Sequence, residues 1–226
     1  MKTKFHLICL IWASVLVVSC EQHPVQPAQE NDIVDAIYRS LDLTPEMFGE
    51  NMVEQGLHEI PQYDFMADHY KTYANSYCTI YINFNNDTIL EIEYLRSLNR
   101  NPDLAAYYKQ FSDMIASYDY TEWHGYYDDP DNDHNVGRIV HMGNDFSYSQ
   151  TAENRDDLHG KINNEHLTDI NTTQYFAEIF IYTHHGESKW EGYSLIWSSI
   201  FFSGMHEGEG AYYKDIQFNF ILKRIQ

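Results

Sequence analysis

Histidines and carboxylates crowd into three places in this 226-residue chain. Asp128-Asp129-Pro130-Asp131-Asn132-Asp133-His134-Asn135 offers alternating carboxylates, oxygen donors that a hard cation takes about six to eight at a time. His184-His185-Gly186-Glu187 and His206-Glu207-Gly208-Glu209 set imidazoles beside carboxylates, like two halves of a metal site. Spacing restrains each of them. A calcium loop opened at Asp129 would place His134 where a glycine must turn the chain, and Val140 where a bidentate glutamate belongs. The two histidine segments flank residues 189–202, which read as one strand. At about 3.3 Å per residue their turns stand roughly 45 Å apart, too far to share an ion. A simple meander would instead bring His184 and His185 to the sheet end that carries the 129–133 loop. The plainer expectation for each segment is a solvated turn, and no metal ligand or cofactor site is assigned.

Nucleophilic and acid–base chemistry is no better marked. Cys78 lies in Tyr77-Cys78-Thr79-Ile80, where an alternating apolar run begins. A catalytic thiol needs a base and an orienting group beside it, and this setting predicts a buried structural thiol. His124 or His141 with a nearby carboxylate could exchange protons in a pocket. Hydrolase elbows, phosphate-binding glycine loops and dinucleotide fingerprints do not occur, and His58-Glu59 and His206-Glu207 lack the second histidine of a helical zinc site. The chain has 19 tyrosines, and Trp123, Trp190 and Trp197 add possible platforms for sugars. Trp190 and Trp197 differ by an odd number, so a regular strand sends them to opposite faces. Trp123 and Tyr127 share one face, His124 and Tyr126 the other. On half-buried strands such residues are mostly core. No catalytic residue is assigned.

The clearest chemistry is at Cys20. Lys2 and Lys4 precede an apolar run over residues 5–18. A spanning helix needs about 20 apolar residues, and this run has the length of a signal peptide's core. Val17-Val18-Ser19-Cys20 resembles the lipobox of bacterial lipoproteins, with Val17 at the usual leucine position. The resemblance covers the first 20 residues. It implies that the Cys20 thiol receives a diacylglycerol, that residues 1–19 are cut away, and that the new amine is acylated, with palmitate or a similar chain. Each buried CH₂ adds about 0.8 kcal/mol of membrane affinity, so two or three chains hold firmly. An aspartate after the cysteine often marks inner-membrane retention; Glu21 points instead to the outer membrane of the bacterial cell envelope.

Charge narrows the partners. The chain carries 14 basic and 34 acidic residues, a formal charge of −20; losing the two leader lysines makes it more negative still. Such a field repels phosphate backbones and anionic headgroups, which excludes nucleic acid as a partner. The membrane is reached through lipid on Cys20. Once Cys9 leaves with the leader and Cys20 carries lipid, Cys78 has no partner for an internal disulfide.

The elements that must position these residues follow from periodicity. Residues 21–30 are polar, contain two prolines, and read as a tether reaching about 30 Å. Residues 31–226 read as a single domain. Asn31 and Asp32 can cap a helix bearing Ile33, Ile37 and Leu41. Thr44-Pro45 opens a second with Phe48 and Met52, and Pro61 a third with Met66, Tyr70, Tyr73 and Tyr77. Ile80, Ile82 and Phe84, then Asn85-Asn86-Asp87, then Leu90, Ile92 and Tyr94 read as a hairpin, though the second arm could open a helix through Leu98. After Asn101-Pro102 comes a helix with Leu104, Tyr107, Tyr108, Phe111, Ile115 and Tyr118. Strands are expected over residues 118–127, 136–149, 174–184, 189–202 and 211–225, with a polar connection over 152–172. The fold class is α+β: N-terminal helices, a hairpin and a helix packed on a curved antiparallel sheet formed largely by the C-terminal half. This order of elements resembles the cone-shaped nuclear-transport-factor-like superfamily, which implies a pocket between sheet and helix.

Three roles are open on this reading: a non-catalytic ligand- or partner-binding module, a structural component of an envelope assembly, or a pocket enzyme using histidine and carboxylate. The first is the expectation. An aromatic cavity would suit a binder, an open edge or apolar patch a structural part, and converging histidine and carboxylate an enzyme.

Overall fold

Nine strands pair antiparallel into one open sheet whose order is β1-β2-β3-β4-β9-β8-β7-β5-β6. The computed structural model describes residues 27–61, 69–99, 101, 103–127, 150–169, 175–184, 188–203 and 211–225. The strands are β1 (His58–Ile60), β2 (Tyr70–Ala74), β3 (Thr79–Asn85), β4 (Thr88–Ser97), β5 (Tyr120–Tyr127), β6 (Gln150–Ala152), β7 (Tyr175–His184), β8 (Ser188–Ser203) and β9 (Ala211–Arg224). Five helices accompany them: α1 (Pro27–Arg39), α2 (Pro45–Glu54), α3 (Leu104–Ala116), α4 (Arg155–Lys161) and α5 (Asn164–Thr168). The α+β class and the antiparallel sheet therefore hold.

Period-two patterning sets one face of the sheet against the helices. Tyr94, Phe220, Ser194 and Glu178 are cross-strand partners in one row on that face. Phe218 and Ile196 lie in the next row. From α3, Phe111 packs on Phe218 at 4.2 Å between ring centroids; from α1, Tyr38 packs on Phe220 at 6.1 Å; from α2, Phe48 packs on Tyr73 at 6.2 Å. Apolar area removed from water at roughly 25 cal/mol per Å² is what holds this layer. Long strands β8 and β9 form its middle, paired from Ser203↔Ala211 to Trp190↔Arg224.

Local signals explain most boundaries. Thr44 caps α2, its Oγ1 accepting from the Met47 amide at 3.4 Å, with Pro45 in the first turn. Gly56, at φ 82°, ends that helix: its amide and that of Leu57 return to Val53 and Met52. Asp103 caps α3 through Ala106. The β3–β4 hairpin turns at Asn86-Asp87, with Asn86 left-handed at φ 51°.

Three expectations need correction. The first helix begins at Pro27, inside the stretch read as tether, because Glu30 is claimed by the core. Tyr70 and Tyr73 lie in β2 and not in a helix: their helical spacing is overridden by the ladder that sets Tyr73 against Ile80. The second arm of the hairpin is extended as read, from Thr88 to Ser97, because it pairs on both sides, with β3 and β9. Residues 152–172 are more than a polar connection: α4 and α5 bury Leu158, Ile162 and Leu167, and their caps are Asn154 and Asn163. The strand expected over 136–149 lies outside the described residues.

Candidate functional site

Where α1 ends, the chain leaves a cleft between helix and sheet. It is lined by Tyr38, Arg39, Leu41, Tyr118, Asp119, Tyr182 and Thr183 and encloses about 350 Å³. α1 supplies Tyr38 and Arg39, the turn after α3 supplies Tyr118 and Asp119, and β7 supplies Tyr182 and Thr183. Tyr38 and Tyr118 stack at 3.6 Å between centroids, 11° from parallel, and Tyr182 meets Tyr38 edge-on at 5.6 Å. The Tyr118 hydroxyl donates to Oδ1 of Asp35, and Arg39 Nε donates to the Asp35 carbonyl at 3.3 Å. Tyr38 and Tyr182 are buried, and their hydroxyls, closed off from solvent, interact with each other. Burial pushes both phenols far above their ordinary range, so both remain neutral hydroxyls. Gly192 makes room for this wall: a Cβ there would stand 2.5 Å from Tyr182 Cε2. Aromatic surface with a few polar groups is the usual make-up of a small-molecule site.

Two buried polar clusters lie elsewhere in the layer. Glu178, fully buried on β7, accepts at Oε1 from Trp123 Nε1 at 3.0 Å and Arg155 Nε at 3.4 Å, with His159 Nε2 at 3.6 Å. Arg155 Nη2 continues to Ser112 Oγ at 2.8 Å and Asp113 at 2.9 Å. Ser112, His159 and Glu178 invite comparison with a hydrolytic triad, but the same ring nitrogen, His159 Nε2, faces both Ser112, at 3.1 Å, and Glu178. A triad needs one nitrogen for each, and Ser112 is buried. The cluster ties α3 and α4 to β5 and β7. In the second, Glu30 accepts from Tyr94 at 2.5 Å and Tyr107 at 2.7 Å while its other oxygen meets Arg96 Nη1 at 2.6 Å. Arg96 lies over the Tyr107 ring at 4.9 Å. Every partner in that set is used, which is how a buried charge is tolerated.

The residues singled out by sequence scatter. Cys20 and His141 lie outside the described residues, as do the 129–133 loop, His185 and His206. His184 ends β7; the 129–133 loop expected beside it lies outside the described residues. β7 pairs directly with β5, Tyr127 opposite Phe176 and Tyr120 opposite Tyr182. The end of β5 at Tyr127 therefore stands at the sheet end opposite His184. His124 is exposed and pairs with Glu122 at 2.6 Å, away from the cleft. Cys78 is buried, and burial first of all raises its thiol to about 12. Trp123 and Tyr127 share the helix-covered face, and Trp190 is fully buried with Arg224 over its ring at 4.6 Å. The sequence reading did not group Tyr38, Tyr118 and Tyr182. The available signal was a tyrosine directly after Ile37, a polar-tipped ring at a core position of α1.

No protein family model matches this chain, and neither a curated protein nor a solved structure matches it. The cleft's place between sheet and helix, and the chemistry of its lining, are what inform function.

Proposed function

We propose that this is a lipid-anchored protein of the bacterial cell envelope whose domain is a non-catalytic module binding a small ligand in the Tyr38–Tyr118–Tyr182 cleft. The observation that carries the reading is that cleft: concave, aromatic and about 350 Å³ in volume. The anchor rests on Cys20 and its flanks, and the outer-membrane address on Glu21. With α1 starting at Pro27, the path from Cys20 to the first helical residue spans at most about 25 Å.

Two measurements test this. Cys20→Ser should move the protein from the membrane to the soluble fraction and abolish the lipid mass on its N-terminal peptide. Small molecules co-purifying with the detergent-extracted protein, identified by mass spectrometry, should be lost from Tyr118→Ala while the melting profile stays cooperative. Unmodified Cys20 in wild-type material removes the anchor, and equal retention of ligand by Tyr118→Ala removes the cleft.

A further inference from the structure

Two opposite charges line the cleft, and they bear on what it binds. Resting on the reading that this cleft is the ligand site, we propose that its occupant is a small zwitterion: a molecule of amino-acid or dipeptide size, with an ammonium, a carboxylate and an apolar group. The charged lining residues are Arg39 on α1 and Asp119 after α3, both exposed. Arg39 donates from Nε to the Asp35 carbonyl at 3.3 Å, which leaves the two terminal nitrogens of its guanidinium to a ligand. Among the described residues, Arg39 and Asp119 form no ion pair with each other or with a third group, and the Asp119 carboxylate accepts no hydrogen bond. Opposite charges left open in one cleft discriminate by sign. A ligand with only a positive charge meets Asp119 but is repelled by Arg39, and one with only a negative charge meets the reverse. A molecule carrying both gives its carboxylate to the guanidinium and its ammonium to the aspartate. The other lining residues suit the rest of such a molecule. The Tyr38 and Tyr182 hydroxyls are turned to each other and closed to solvent, so these two residues offer ring surface only. With Tyr118 and Leu41 they make a wall for an apolar side chain, and the Thr183 hydroxyl adds one neutral polar contact. The volume of about 350 Å³ lies at the lower end of the roughly 300–1,000 Å³ found for small-molecule pockets, which holds the occupant to the size of one or two amino acids.

The test is calorimetric titration of the full chain, extracted in a non-ionic detergent, with three zwitterions at millimolar concentration: L-leucine, L-phenylalanine and L-leucylglycine. L-Leucinamide, which carries only the positive charge, and N-acetyl-L-leucine, which carries only the negative one, are titrated beside them. At least one zwitterion should bind, about fivefold more tightly than either single-charge counterpart. Arg39→Gln and Asp119→Asn should each remove about that factor, and because both side chains are exposed, both variants should still melt cooperatively. Zwitterion binding that is unchanged in both variants, or matched by a single-charge counterpart, overturns the proposal; if Tyr118→Ala abolishes that binding, the cleft survives as a ligand site and the zwitterion assignment alone falls. Failure of all five probes also overturns the zwitterion assignment, while the cleft itself is judged separately, by whether Tyr118→Ala loses the co-purifying small molecule.

Discussion

Glu30 Oε2 and Arg96 Nη1 stand 2.6 Å apart, joining the first helix to the fourth strand across 66 positions of chain. Both side chains are about nine-tenths buried. Removing one member of such a pair strands the other in low dielectric, at a cost of about 3–5 kcal/mol. Glu30→Ala is expected to lower the unfolding free energy by about 3 kcal/mol, read by urea denaturation. Arg96→Met in the same background should recover part of that loss. A chain beginning at Asn31 should melt well below one beginning at Pro27; equal melting would return residues 27–30 to the role of a tether.

Glu178 predicts an acid limb to stability. Burial by itself would raise its carboxyl, but hydrogen bonds from His159, Ser112 and Trp123, together with the charge of His159, outweigh burial and hold it below the usual carboxylate range. A group depressed on folding stabilises the native state above its unfolded value and loses that contribution as pH falls through the folded one. Unfolding followed from pH 7 downward should therefore show stability dropping from about pH 4.5. Glu178→Gln should flatten that limb and lower stability at neutral pH.

Glu93 behaves in the opposite sense. Burial first, then the neighbouring charge of Glu91, raise its carboxyl despite the Asn219 amide at 2.8 Å. A carboxyl raised on folding costs stability at neutral pH, and the cost disappears as pH falls through its folded value. Glu93→Gln is expected to raise the melting temperature at pH 7 and to leave it unchanged at pH 4.

Gly192 controls the cleft wall. An added methyl would press on the Tyr182 ring at 2.5 Å and on Leu222 Cδ2 at 3.4 Å. Gly192→Ala should cost about 1–3 kcal/mol through overpacking. It should weaken ligand binding more than Gly160→Ala, where a Cβ meets nothing within 4 Å. Equal effects at the two sites would separate Tyr182 from binding.

The Cys78 thiol, raised to about 12 chiefly by burial, is expected to resist a thiol reagent in native protein at pH 8. It should react stoichiometrically in urea. Prompt native reaction would show that the β3 end opens.

Much of the fold was legible because burial leaves a period in the sequence. Ile216, Phe218, Phe220 and Leu222 alternate as a strand with one face in the core must, and all four are buried. Phe48 and Met52 behind Thr44-Pro45 likewise announce α2. What failed was set by distant partners. Glu30 resembles any solvated acid until Arg96, Tyr94 and Tyr107 surround it. Leu158, Ile162 and Leu167 are too sparse among polar residues to signal two short helices. The direction of β7 depended on whether a strand intervenes after β5, which no local pattern decides. The cleft was legible as a location between sheet and helix, but its lining was not: Tyr38, Tyr118 and Tyr182 come from three distant elements, and no local motif links them.

The described sheet is bordered by β1 and β6, three residues each, while its longest strands lie in the middle. At each of these described borders a neighbouring copy's backbone meets a strand of three residues, a short template for pairing.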